Sequence, residues 1–117
     1  MQEIVGEKLR LNEQTIGLAQ ADFASYKYVG FYFGAHWAPP CRLFTTQLLE
    51  WLPKINEAGK NLAVIFVSID GNEAAFERNY KEMTGFFAIP YADEARISSL
   101  KQRFGINGIP TMIVTDN

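Results

Sequence analysis

Trp37-Ala38-Pro39-Pro40-Cys41 is the segment of this chain whose residue types and spacing address chemistry. It reads as a thiol–disulfide exchange site, Trp-Cys-Pro-Pro-Cys, with Ala38 standing at the first thiol position. That first position normally supplies the attacking thiolate. Two thiols three residues apart at a helix start lie one turn apart, close enough to share a disulfide. The first sits where unpaired N–H groups and the positive end of the helix dipole favour the ionised sulfur. Ala38 offers no nucleophile, metal ligand or proton donor. Cys41 is the single cysteine, so no internal disulfide can form.

The surrounding pattern supplies elements to position such a site. Val29-Gly30-Phe31-Tyr32-Phe33-Gly34 is a nearly continuous apolar run, which suits a buried strand. Pro39 and Pro40 then fit the first turn of a helix, where backbone N–H groups lack intrahelical partners anyway. Leu43, Phe44, Gln47, Leu48 and Trp51 recur at helical steps and predict one apolar face. Pro53 is expected to bend or break this helix and Gly59 to end it. Leu62–Ile69 predicts a second buried strand. Asp70-Gly71-Asn72 reads as a turn, with Asn72 the N-cap of a helix through Phe76 and Tyr80. Ile97, Leu100, Lys101 and Phe104 share one side of a further helix that Gly105 closes. Ile109-Pro110 leads into a third strand, Thr111–Thr115. Near the start, Glu7–Leu11 alternates polar and apolar residues, as a short edge strand does. Strands separated by helix-length connections predict an α/β sandwich containing a parallel pair. Thr115-Asp116-Asn117 reads as a strand entering a hairpin, so the fold is expected to lack its C-terminal strand and helix here.

Bulk properties narrow the function. The 117 residues suffice for one domain, residues 1–117, with 48% hydrophobic and 21% charged residues. A net charge of −2 without a charged block gives nucleic acid or anionic membrane binding little support. No apolar run approaches the ~18–20 residues that span a bilayer. Met1–Gly6 lacks the basic start and apolar stretch of a signal peptide. A cytoplasmic or other reducing intracellular setting is therefore expected.

With these residues in place, a family resemblance follows. Phe31–Arg42 resembles the active-site strand and helix start of tryparedoxins and nucleoredoxins, which are thioredoxin-like thiol–disulfide oxidoreductases. Phe44–Leu48 is similar to the continuation of their active-site helix, and Val67–Asp70 to their next strand and turn. Phe104–Thr111 is similar to the loop that carries their cis-proline. The resemblance runs from about Lys8 to Asn117, in order and spacing. It implies a thioredoxin-like sandwich with a central mixed sheet flanked by helices, and protein-disulfide reductase activity. It also implies that position 38 attacks, that Cys41 resolves, and that Pro110 with Ile109 helps orient substrate beside Trp37, Pro39 and Pro40. Protein disulfides or a thiol reductant are the implied partners, and no cofactor is called for. Cys41 is expected to lie one turn into the helix, covered and slow to attack.

Ala38 breaks that pattern, so the dithiol cycle cannot run within this chain. Two origins fit: an engineered Cys-to-Ala change, or natural loss. The persistence of Trp37, Pro39, Pro40 and Cys41 tilts the balance slightly toward engineering or recent loss. The competing reading is a noncatalytic interaction module that holds a partner in the site groove or along an open sheet edge within a larger assembly. His36, the one histidine, reads as a solvated or turn residue. One histidine and one cysteine make no metal site. Arg42 reads as surface decoration. Asp70 and Glu73 read as a turn residue and a favourable charge at a helix start.

Overall fold

The computed structural model describes Met1–Asn117. In chain order the elements are α1 (Gln2–Val5), β1 (Lys8–Leu11), β2 (Gln14–Gly17), a 3-10 turn (Phe23–Ser25), β3 (Tyr28–Gly34), α2 (Pro39–Ile55), β4 (Leu62–Ser68), α3 (Glu73–Tyr80), β5 (Phe87–Ala88), α4 (Glu94–Phe104) and β6 (Thr111–Asp116). One sheet runs β2-β1-β5-β4-β3-β6. The inner strands β3, β4 and β5 are parallel; β6 lies antiparallel to β3, and β1 antiparallel to both β5 and β2. The expected α/β sandwich with a mixed sheet is the observed architecture.

The apolar runs of β3 and β4 are continuous because both faces of these strands are covered. Alternate residues point to opposite sides. Val29, Phe31, Phe33, Ala63, Ile65 and Val67 pack with Val5 of α1 and Ile97 and Leu100 of α4. Tyr32, Val64 and Phe66 pack on the other side with Leu48 and Leu52 of α2 and Phe76 and Tyr80 of α3. Two expected helix ends hold. Asn72 accepts a hydrogen bond from the Ala75 N–H at 2.8 Å, and Gly105 closes α4 in the left-handed conformation.

Three expectations require correction. Lys8–Leu11 is an interior strand, because β2 folds back through a turn in which Asn12 has φ 56° and takes the edge position. Pro53 does not break α2; it falls in the last turn, where only two helical residues follow it. The helix ends at Asn56 rather than Gly59: the Asn56 N–H bonds the Leu52 carbonyl, and its side chain holds Asn61 and Leu62.

The outer edge of β6 carries no partner strand. The register pairs Asp116 with Tyr28, and the Asn117 N–H bonds the Lys27 carbonyl at 3.1 Å. Odd-numbered residues of β6 therefore bond β3, and the N–H and C=O groups of Met112, Val114 and Asp116 point outward.

Candidate functional site

The site forms where β3 ends and α2 begins. Gly34 closes β3 because a Cβ there would meet the Tyr32 ring at 2.9 Å. That ring reaches across instead, and its hydroxyl donates to the Cys41 carbonyl at 2.9 Å and pairs with the Thr45 hydroxyl at 2.8 Å. Tyr32 thus ties the first turn of α2 to the sheet. Burial pushes its phenol up to about 12, so it stays protonated across the neutral range.

Ala38 is the N-cap of α2, in extended conformation, and its carbonyl accepts from the Cys41 N–H at 2.9 Å and the Arg42 N–H at 3.3 Å. Pro39 and Pro40 fill the first helical positions, as expected. Around the cap the exposed residues are apolar except for Arg42. Trp37 is 65% exposed, which makes it a surface platform rather than core. Pro39 and Pro40 are exposed, while Ala38 itself is 7% exposed between them.

Cys41 lies one turn in, on the buried face of α2 with Thr45, Leu48 and Leu52, at 1% exposure. Burial pushes its thiol above the usual cysteine range. A hydrogen bond from the Ala35 backbone opposes this, the Asp70 charge adds to it, and the Tyr32 hydroxyl again opposes it. A raised thiol pKa leaves less thiolate at any given pH, and burial restricts approach. Iodoacetamide at pH 7.5 is therefore expected to label Cys41 slowly in the folded protein. The rate should rise to that of a free thiol in urea, as read by mass spectrometry; rapid labelling of the native state would contradict this burial.

Asp70 proves to be more than a turn residue. It is 6% exposed, and its carboxylate accepts from the His36 backbone N–H at 2.8 Å and from the Ser68 hydroxyl at 2.7 Å. The Asn79 amide approaches it at 3.5 Å, and the Tyr91 hydroxyl donates to its carbonyl at 2.9 Å. The end of β4 thereby anchors the loop that delivers Trp37 and Ala38 to the helix start. Glu73 does sit in the first turn of α3, as expected. His36 is half-buried, its Nδ1 has no partner, and its carbonyl accepts from the Arg42 guanidinium at 2.8 Å. Arg42 is therefore a loop clamp rather than decoration.

Ile109 and Pro110 complete the arrangement. Their peptide bond is cis, and both are half-buried. Thr111 pairs with Phe33, so one step further along the register Pro110 stands beside Gly34, at the mouth of the site loop. Trp37, Ala38, Pro39, Pro40, Cys41 and Pro110 are thus gathered at one end of the sheet. The anchoring roles of Tyr32, Thr45 and Asp70 escape the sequence, where a Tyr inside an apolar strand and an Asp before Gly71-Asn72 look like core and turn. The largest cavity, 620 Å³, lies elsewhere, between the β1–β2 turn and α3. None of the site residues lines it, and its Arg10 and Glu77 neutralise one another at 2.7 Å.

Comparison with known proteins gives a consistent picture. A family model described as thioredoxin-like matches residues 26–117. Human nucleoredoxin is 46% identical over 113 residues, covering 97% of this chain and 25% of that protein. A probable nucleoredoxin of Oryza sativa subsp. japonica is 45% identical over 89 residues, covering 75% of this chain and 18% of that protein. The chain thus spans about a quarter or less of the length of these curated relatives. Among solved structures, native tryparedoxin I from Crithidia fasciculata superposes with a TM-score of 0.86 at 34% identity, covering 98% of this chain and 78% of that one. Tryparedoxin II in complex with glutathionylspermidine superposes with a TM-score of 0.82 at 29% identity, covering 94% of this chain and 74% of that one.

Proposed function

The chain belongs to the thioredoxin-like family, and from that premise we propose that its site is built for thiol–disulfide exchange with protein partners. In this reading position 38 is the place of the attacking sulfur and Cys41 is the resolving thiol. Trp37, Pro39, Pro40, Ile109 and Pro110 hold the partner segment. The observation that carries the reading is Cys41 itself: a thiol buried one turn inside a proline-opened helix, three residues after a capping position that lacks its sulfur.

Each step assigns a task to a residue of that site. An attacking thiolate at the helix cap breaks the partner's S–S bond and forms a mixed disulfide, releasing one partner thiolate, which takes a proton from water. Cys41 loses its proton, attacks the bond to position 38 and frees the second partner sulfur. The partner gains two electrons, and the pair at 38 and 41 is left as a disulfide that an external thiol reductant must reduce. With Ala38 the first step has no nucleophile, so this chain holds partners without turning them over. A reducing intracellular compartment keeps the lone Cys41 free. The Ala38→Cys variant tests the reading: insulin reduction driven by dithiothreitol should appear, and a folded variant without turnover contradicts it.

A second reading is a noncatalytic module that holds a partner in the site groove or along the edge of β6 within a larger assembly. The outward N–H and C=O groups of Met112, Val114 and Asp116 can accept a further strand. Val114 at 56% exposure and Tyr28 at 46% flank that edge on the α2 side.

A further inference from the structure

Two hydroxyls lie in the apolar layer between α2 and the sheet, and packing alone does not call for them. Phe31, Phe33 and Phe66 fill the neighbouring strand positions without a polar atom, whereas Tyr32 is fully buried and brings a hydroxyl with it. Cys41 and Thr45 are four residues apart on the buried face of α2, so they are neighbours there. The Tyr32 hydroxyl stands against both. It donates to the Cys41 carbonyl at 2.9 Å and pairs with the Thr45 hydroxyl at 2.8 Å. With its own proton on that carbonyl, Tyr32 accepts from Thr45. The order is Thr45 to Tyr32 to Cys41, and each bond polarises the next.

A sulfur that ionises at the depth of Cys41 is cut off from bulk solvent, so donors from the protein must meet its charge. Burial disfavours the Cys41 anion most, and the Asp70 charge at the end of β4 adds to this; the Ala35 backbone and the Tyr32 hydroxyl favour it. The Arg42 guanidinium lies on the exposed side, bonded to the His36 carbonyl. The carbonyl of residue 41 is also placed to accept the N–H of residue 45 within the helix. It keeps that partner when the Tyr32 proton turns to the sulfur of the same residue. Burial raises the Tyr32 phenol to about 12, so Tyr32 serves as a donor and not as a base.

Resting on the exchange site proposed above, we propose that the Tyr32 hydroxyl, backed by Thr45, is the hydrogen-bond donor that receives the Cys41 anion in the resolving step. The Cys41 proton leaves to water. The Cys41 sulfur, held by Tyr32, bonds the sulfur at position 38 as the bond from position 38 to the partner breaks. The partner sulfur departs with the electron pair, and the Tyr32 proton returns to the Cys41 carbonyl.

The test reads Cys41 in two ways. In the unaltered chain, the NMR shift of the Cys41 Cβ follows its ionisation. Tyr32→Phe should move that midpoint up by about one pH unit, because a hydrogen bond to a charged group is stronger than one to a neutral group. Thr45→Val should move it the same way by less, and Thr45→Ser should leave it near the parent value. In the Ala38→Cys background, dithiobisnitrobenzoate releases one coloured thiolate on attack and a second when Cys41 resolves. Tyr32→Phe should slow the second release about threefold at pH 7, since about tenfold less thiolate is partly offset by a more basic sulfur. A folded Tyr32→Phe chain with an unmoved Cys41 midpoint overturns the role of Tyr32 even if the second release slows, because looser anchoring of α2 would slow it too. A shifted midpoint with an unslowed second release overturns it likewise. A folded Ala38→Cys protein that gives no first release defeats the exchange reading, and the Cβ midpoint still decides whether Tyr32 holds the Cys41 anion.

Discussion

Ala38→Cys is expected to give this single-cysteine chain protein-disulfide reductase turnover. The substitution adds one sulfur at the cap of α2, where Trp37 and both prolines are exposed. A thiol at a helix N-terminus ionises more readily because the dipole and unpaired N–H groups favour the anion. A fall in pKa from ~8.5 to ~7 raises the ionised fraction at pH 7 from about 3% to about half, while the less basic sulfur loses about fivefold in nucleophilicity, so attack speeds up about threefold. Cys41 stands one turn away, within reach of a disulfide with the new sulfur. The two thiols should therefore differ: the introduced one reacts at neutral pH, while Cys41 stays protected by the burial that raises its pKa. Dithiothreitol-driven insulin reduction, followed by turbidity, checks this outcome. The unaltered chain should match the rate of dithiothreitol alone.

Asp70→Ala is expected to cost about 2–3 kcal/mol of stability. The carboxylate accepts from two donors, the His36 N–H and the Ser68 hydroxyl, at a position 6% exposed. Truncation leaves both donors without that acceptor and opens a small void beside Asn79 and Tyr91. For a domain of this size the loss corresponds to a fall in melting temperature of roughly 10 °C. Asp70→Asn should cost less, because its amide oxygen can still accept from the His36 N–H. Thermal unfolding by circular dichroism distinguishes the three proteins. An Asp70→Ala melting temperature within a degree or two of the parent would show that this carboxylate does not anchor the site loop.

The legible parts of the molecule are those where one residue type has one physical use. Strands β3 and β4 announce themselves because covering both faces demands unbroken apolar runs. Pro39-Pro40 marks a helix start, Asn72 a cap, and Gly105 a left-handed helix end. The two-residue β5 and the β2 edge strand, with Ile16 its one buried residue, leave no periodic signal long enough to read. Without β2 in view, β1 looks like an edge. The candidate site divides in the same way. Trp37 through Cys41 is contiguous and carries its own spacing. Tyr32 bonds Cys41 and Thr45 across 9 and 13 residues, and Asp70 separately bonds Ser68 and, across 34 residues, His36. Each of those residue types also has an ordinary use in a strand, helix or turn, so local pattern does not reveal the network. Arg42 is similar: an exposed arginine looks ornamental until its bond to the His36 carbonyl is seen.

The central claim is that position 38 marks where a partner's sulfur is attacked, and trapping that partner tests it most directly. In the double variant Ala38→Cys, Cys41→Ser, the attacking thiol is present and the resolving thiol is gone, so a mixed disulfide should accumulate. Incubation with an oxidised protein substrate should give a one-to-one adduct by mass spectrometry, linked through position 38 and released by dithiothreitol. Cys41→Ser alone should give none. A folded double variant that forms no adduct, while its new thiol still reacts with small alkylating agents, would contradict the account.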